Sequence, residues 1–481
     1  MTGKGKFMRW RTYLMTAMAV TLVAAAPADA KKKSPPPPVP VAAPQVPLPS
    51  SPNGVNVRYF YERQNWTPVW FKPGAGDEAI AQLLSILRRA PIDGMPTGPE
   101  AAARAEAAVA AARAGDEMSH KVAELALSAA WVDYVQTIQR SNSNVIWGDP
   151  YLTIKPSNPE RIMALLSAAP SISSHLQSVS TVNPIYAKIR EVAVAEAAAN
   201  GGRASEAVML NLERSRILPA SGKFILVNSA EQRLHMFENW QDVGSMKVVV
   251  GSKAKYGLPT PIVVSSINYA IANPYWHVPE HLVRKFAPRV REQGQKFMDR
   301  NGYEVLTDFG PNGQPVPISS IDWKAVEAGT TKVLMRQKPN SINSMGRMKF
   351  PFPNREGIYL HDTPMKEYFT HADRALSNGC IRVEDYRRLA YWLFGHDVAA
   401  SGSGPEQHIS LPRGVPVYVT YLTMVPSSTG MQTFEDRYGW DRPGVLAGGM
   451  DITVGITPAA GSAEVIEGSS ASTKTAAGTP H

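Results

Sequence analysis

A chain of 481 residues with 44% hydrophobic and 19% charged residues carries enough apolar material for more than one folded core. It holds one cysteine, Cys380, so no disulfide within the chain can staple it. The formal net charge of +9, without any basic–aromatic motif, argues against nucleic acid and leaves ordinary solubility or a polyanionic surface as its meaning.

At the N-terminus, Lys4, Lys6, Arg9 and Arg11 precede the apolar run "YLMTAMAVTLVAAA", which ends at the small-residue site Ala28-Asp29-Ala30. This predicts a secretory signal peptide over residues 1–30, with an apolar part too short for a comfortable membrane span. Its removal leaves about +6 on the mature chain, in which no segment reads as transmembrane. An exported chain meets oxidising surroundings, where a lone free thiol is a liability unless it has a use. Residues 31–54, including "KKKSPPPPVPVAAPQVPLPSSP", are too proline-rich to pack and read as an extended spacer.

Residues 55–204 read as helical. In "KVAELALSAAWVDYVQTIQR", Val122, Leu125, Ala129 and Val132 form one stripe, and Leu127, Trp131, Tyr134 and Ile138 a second, which predicts a helix buried on a wide face. Nothing in this region assembles acid, base and nucleophile, so its expected role is scaffolding or substrate positioning. After Leu218 the period changes to short β-rich runs, "KFILVN", "RLHMFE", "SMKVVVG", "PIVVSSINYAI", "GIYLH" and "VPVYVTYL", broken by Gly, Pro, Asn and Asp. Residues 288–345 show little regular pattern and are expected to be a lid or binding loop over that core. The small, polar tail after about residue 455 reads as disordered.

The stretch "GIYLHDTPMKEYFTHADRALSNGCIRVEDY" holds the chain's one thiol with His361 and His371 upstream. Ser377, Asn378 and Gly379 place the sulfur in a turn, and Tyr386, Leu389, Ala390 and Leu393 follow at helical spacing up to Gly395. A helix N-terminus would lower the thiol pKa and offer free N–H groups to an oxyanion, and Gly379 would let the backbone approach an acyl carbon. His361 ends a β-rich run, where a base can be held rigidly, whereas His371 falls in the polar connection and reads as a loop or substrate-contacting residue. Zinc is disfavoured because neither H-E-x-x-H nor C-x-x-C is present. A papain-like site has its cysteine ahead of its histidine, the reverse of the order here.

"IYLHDTP" followed by "SNGCIRV" resembles the catalytic signature of the L,D-transpeptidases of bacterial cell walls, the YkuD-domain family. The resemblance extends to "NLERSRILP", "VVVGSKAKYGLPTP", "NPYWHVP", "SMGRMKFPFPN" and "VPVYVTYLT", while "FYERQNWTPVWF" and "AELALSAAWVDY" are similar to the helical scaffold of the large periplasmic subgroup. It implies an α+β chain: a helical scaffold domain over 55–204, a β-sandwich-like catalytic domain over 205–426 with a lid at about 288–345, and a C-terminal extension over 427–481. Two departures stand out. Many members carry a histidine where Asn378 stands, and large members insert a peptidoglycan-binding module for which there is no room between "NPIYAKIREVAVAEAAANGG" and "NLERSR". Wall affinity then falls to the scaffold, the lid, the basic surface or a partner.

The resemblance further implies a periplasmic enzyme without metal or organic cofactor. Cys380, activated by His361, would attack the third residue of a donor tetrapeptide stem, with the N–H groups of Cys380 and Gly379, joined by Asn378, holding the oxyanion. A diaminopimelate amine of a second stem would resolve the thioester into a 3–3 crosslink. Arg382 would anchor a substrate carboxylate or pair with an acid of the domain. Tyr359 and Trp276 would line the cleft or pack in the core, and Ser377 and His371 join the candidate substrate contacts. Carbapenems are expected to acylate Cys380, and cell-wall synthesis or remodelling proteins are the expected partners. Water as acceptor would make the chain an L,D-carboxypeptidase or a hydrolase releasing wall-linked protein. A catalytically silent wall-binding scaffold sits poorly with an intact thiol and imidazole.

Overall fold

The computed structural model describes residues 45–72, 76–142, 144–253 and 258–442. The expected signal peptide, the first part of the proline-rich spacer and the tail after 455 lie outside the described residues. Among the described residues, no helix is long and apolar enough to cross a membrane.

The N-terminal part is a helical bundle of α1 (Gly54–Arg63), α2 (Gly76–Arg89), α3 (Gly98–Ala114), α4 (Glu117–Ile138), α5 (Pro159–Ser167) and α6 (Ile172–Thr181). α4 is its axis: Asp116 caps it by accepting the Ser119 N–H, and both apolar stripes are buried except for the half-buried Val122, which is why no strongly polar face interrupts its second half. Val57 and Tyr61 of α1, Leu83 and Leu87 of α2, and the small Ala105 of α3 pack in the same core. Residues 46–53, expected to run free as spacer, are instead laid on this bundle. Val46 is buried in the core, and the Asn53 amide bonds Asp133 at 2.8 Å and Gln136 at 2.9 Å. An extended strap has no period of its own, so its docking was invisible in the sequence.

Bundle and β-domain meet at a buried carboxylate. Asp93, with no exposed surface, accepts the hydroxyls of Tyr134 (2.9 Å) and Tyr186 (2.7 Å) and pairs with Arg190 (3.4 Å). Its carbonyl accepts from Arg140 and Arg216, which both reach Glu213. Tyr186 and Arg190 belong to α7 (Pro184–Ala199) and Glu213 to α8 (Glu206–Ser215), helices that pack on the β-sheet. Asp93→Ala would take the carboxylate from the buried Arg190 and leave two buried hydroxyls unpaired, and is expected to cost about 3–5 kcal/mol, read by urea denaturation. A loss below about 1 kcal/mol would show the network to be dispensable.

The main sheet contains β1 (Ile146–Trp147), β2 (Lys223–Asn228), β3 (Arg233–Glu238), β4 (Gln241–Gly251) and β5 (Val263–Ala272). A second, three-stranded sheet is built from β6 (Trp276–His277), β7 (Tyr303–Leu306) and β8 (Leu334–Gln337). The main sheet is completed by β9 (Met348–Pro351), β10 (Tyr359–His361), β11 (Ala375–Ser377), β12 (Ile381–Val383) and β13 (Gln407–Thr420). Its order is β1-β5-β13-β2-β3-β4-β12-β10-β9, with β11 on β4, and β9 also pairs with β5, so the path closes on itself. Alternation decides the two sides of β2: Ile225 and Val227 point into the enclosed core, whereas Phe224 and Leu226 meet α7 and α8.

The insertion expected to be a loop is a small subdomain with its own core. α9 (Glu280–Gln293), α10 (Gln295–Asn301) and α11 (Trp323–Ala328) pack on the three-stranded sheet around Trp276, Leu282, Val290, Phe297, Trp323 and Met335. It begins near Trp276 rather than at 288. Pro288 lies inside α9 and broke the apparent period, although Leu282, Val283, Ala287 and Val290 keep one buried face.

The helix α12 (Tyr386–Phe394) follows β12. After β13, β14 (Met424–Ser427) and β15 (Gly430–Thr433) form a hairpin, and residues 434–442 return to the domain. Tyr438 and Trp440 are buried beside Tyr421, and Asp441 receives Arg214 at 2.5 Å. The expected boundary at 426 therefore cuts through packed structure.

Candidate active site

β10 and β12 run parallel, with His361 opposite Arg382. The two-residue period puts Tyr359 and His361 of β10 on the same face as Arg382 and as Cys380, which enters β12. This register, rather than proximity in the chain, assembles the site.

His361 is 2% exposed. Its Nδ1 lies 2.6 Å from the carbonyl oxygen of Asp362, an acceptor only, so the proton sits on Nδ1 and the lone pair on Nε2. Burial lowers its pKa to about 3, helped by Arg382 and by Lys349, its partner across β9. The Asp362 carboxylate does not orient the ring. It accepts the Arg347 N–H at 2.8 Å and Lys366 at 2.7 Å.

Cys380 is not at a helix N-terminus, as its flanks had suggested. It lies between β11 and β12, and α12 begins only at Tyr386, capped by Asp385. A helix dipole acts within its first turn and does not reach back to the sulfur. Burial pushes the thiol up to about 11, the reverse of the expected lowering, with Tyr359 and Arg382 opposing the shift. The half-buried thiol faces the Gly357 carbonyl at 3.7 Å and is not hydrogen-bonded to His361. Catalytic contacts of this kind commonly tighten only with substrate in place.

The turn before the sulfur is tightly specified. Gly379 has φ +106°, which strains any side-chain-bearing residue. Ser377 is buried and bonds within the turn, donating to the Cys380 carbonyl (2.6 Å) and accepting the Gly379 N–H (3.2 Å). Ser377 therefore staples the turn, and the Gly379 N–H, expected to face an oxyanion, is already engaged by its hydroxyl. The half-buried Asn378 makes no side-chain hydrogen bond among the described residues, so its amide is available.

Arg382 has no carboxylate within salt-bridge reach among the described residues. Its guanidinium lies 5.2 Å from the Tyr368 ring centre and 3.9 Å from the sulfur of Met365, and its buried Nε has no partner. Trp276 sits in the lid's core, packed with Phe286 and Tyr303. Tyr359 packs against both the lid core and the β core and joins the two. His371 is exposed, its ring 5.9 Å from Tyr368. Sequence reasoning missed Lys349, Tyr368 and Thr260. No local pattern marks them, because each reaches the site through pairing or a loop contact.

A closed β-sheet sets the chain's one thiol, at the entry to β12, beside the buried imidazole that ends the parallel strand β10. Residues 222–419 match the model of the L,D-transpeptidase catalytic domain, YkuD, and residues 55–192 match the Scaffold domain. The chain thus carries a YkuD L,D-transpeptidase catalytic domain behind a Scaffold domain. A Haemophilus influenzae protein named "Putative L,D-transpeptidase" is 22% identical over 395 residues, covering 79% of this chain and 77% of that protein. Among solved structures, an L,D-transpeptidase from Mycobacterium smegmatis aligns at 12% identity and TM-score 0.20, covering 42% of this chain and 59% of that one. One from Xylanimonas cellulosilytica aligns at 14% identity and TM-score 0.19, covering 48% and 79%.

Proposed function

We propose that the chain is an exported, periplasmic transpeptidase that forms 3–3 crosslinks between peptidoglycan stems through a thioester on Cys380. The observation that carries this reading is the pairing register that puts a thiol and the free Nε2 of His361 on one face of β10 and β12. In the first step the sulfur attacks the carbonyl carbon of the third stem residue while its proton passes to Nε2. The oxyanion is met by the Cys380 N–H and the Asn378 amide. The bond to the terminal D-alanine breaks, and the Nε2 proton leaves with its amine. The amine of a second stem then attacks the thioester, loses a proton to Nε2, and expels the sulfur, which is reprotonated. Arg382, without an acidic partner, is suited to a stem carboxylate.

Purified chain without residues 1–30 should convert disaccharide-tetrapeptide into a dimer lacking one D-alanine, read by mass spectrometry. Tripeptide without dimer would identify water as the acceptor and a carboxypeptidase. No conversion would overturn the reading for this donor.

A further inference from the structure

The peptide preceding the nucleophile is held from a part of the chain beyond the matched catalytic domain. We propose that the C-terminal segment 434–442 completes the active site, with Tyr438 as a positioning residue that, through Thr260, aims the Cys380 N–H at the oxyanion. This rests on the reading of Cys380 as a nucleophile.

The connection is continuous. The Tyr438 hydroxyl donates to the Gly251 carbonyl at 2.6 Å and accepts the Thr260 N–H at 3.3 Å, tying the end of β4 to residue 260. The Thr260 hydroxyl accepts the Gly251 N–H and donates to the Gly379 carbonyl, both at 2.8 Å. In a trans peptide the carbonyl and the following N–H point in opposite directions. Holding the Gly379 oxygen toward Thr260 therefore turns the Cys380 N–H to the other side. Since Ser377 engages the Gly379 N–H, this single orientation decides whether the turn offers a backbone donor to the oxyanion.

The far end of the relay is built, not draped. The Tyr438 ring is buried between Tyr421 and Trp440, each at 4.8 Å. Its N–H reaches the Tyr421 hydroxyl at 2.9 Å, and its carbonyl accepts Lys253 at 2.7 Å. Asp441 receives both Arg214 and the Thr423 hydroxyl at 2.5 Å. Burial holds the Tyr438 phenol at about 12, so it remains a donor at any working pH.

The test uses two reagents on the chain from residue 31 to its end. Acylation of Cys380 by p-nitrophenyl acetate passes through an oxyanion, whereas alkylation by iodoacetamide does not. Tyr438→Phe keeps the ring and removes the hydroxyl. It should lower acylation about tenfold while alkylation and melting temperature stay near wild type. Thr260→Val should match it, the double variant should be no slower than either single one, and Thr260→Ser should restore most of the rate. An unchanged ratio of acylation to alkylation in Tyr438→Phe would overturn the proposal. So would a parallel fall of acylation, alkylation and melting temperature, which marks a purely structural role, or additive losses in the double variant. Neither reagent contains a stem peptide, so the relay can stand or fall independently of the peptidoglycan reading.

Discussion

Cys380→Ala should show no covalent acyl adduct with disaccharide-tetrapeptide or with a carbapenem, a loss of at least about 10⁴-fold in turnover. The reason is that the chain has no second thiol, and no hydroxyl is paired with the free Nε2 of His361 among the described residues. The substitution should leave the fold intact. The sulfur is half-buried and faces the Gly357 carbonyl at 3.7 Å and Tyr359, so a stability change within about 1 kcal/mol is expected. Intact-mass spectrometry and a melting curve on the same sample check both parts. Turnover retained in this variant would place the nucleophile elsewhere.

The second large effect is on pH dependence, with opposite consequences for catalysis and for stability. With the imidazole at about 3 and the thiol at about 11, the resting pair is neutral between those values. If the proton passes internally from sulfur to Nε2, the rate of acylation is flat from about pH 5 to 9, because no proton is exchanged with solvent. His361→Gln must lose the thiol proton to water, so its acylation should be far slower and climb about tenfold per pH unit up to the thiol pKa. A wild-type rate that climbs in the same way would remove His361 as the base.

For stability, the folded imidazole titrates below its unfolded value of 6.5. The unfolded chain then binds the extra proton, so this contribution is fully present above 6.5 and is lost as pH falls toward 3, by up to about 4–5 kcal/mol. Urea denaturation between pH 7.5 and 4 should show a steeper acid loss in wild type than in His361→Gln. Equal slopes would mean that the ring is protonated in the fold.

Local patterning carried the helical reading of residues 122–138, the β-rich reading after 218 and the α+β class, since a period of 3.6 or 2 reports which positions meet an apolar neighbour whatever that neighbour is. The same signal failed where packing was aperiodic, in the strap 46–53, the Pro288-broken lid helix and the return of residues 434–442. Around the thiol, residue types and order were legible, but the helix spacing at Tyr386 suggested an electrostatic environment that the intervening strand β12 rules out.

By itself, then, the sequence determined the chemical groups on offer, a single thiol, an upstream imidazole and a glycine between small polar residues, because these are properties of side chains and of their order. Only the tertiary structure decided their protonation and their aim. Burial by distant segments raises the thiol and lowers the imidazole, and the hydrogen bonds that orient the Gly379–Cys380 peptide come from Thr260, more than a hundred residues away in the chain. Desolvation and hydrogen-bond direction depend on what surrounds a group in space, and pairing across β4, β10 and β12 creates those surroundings only once the sheet has closed.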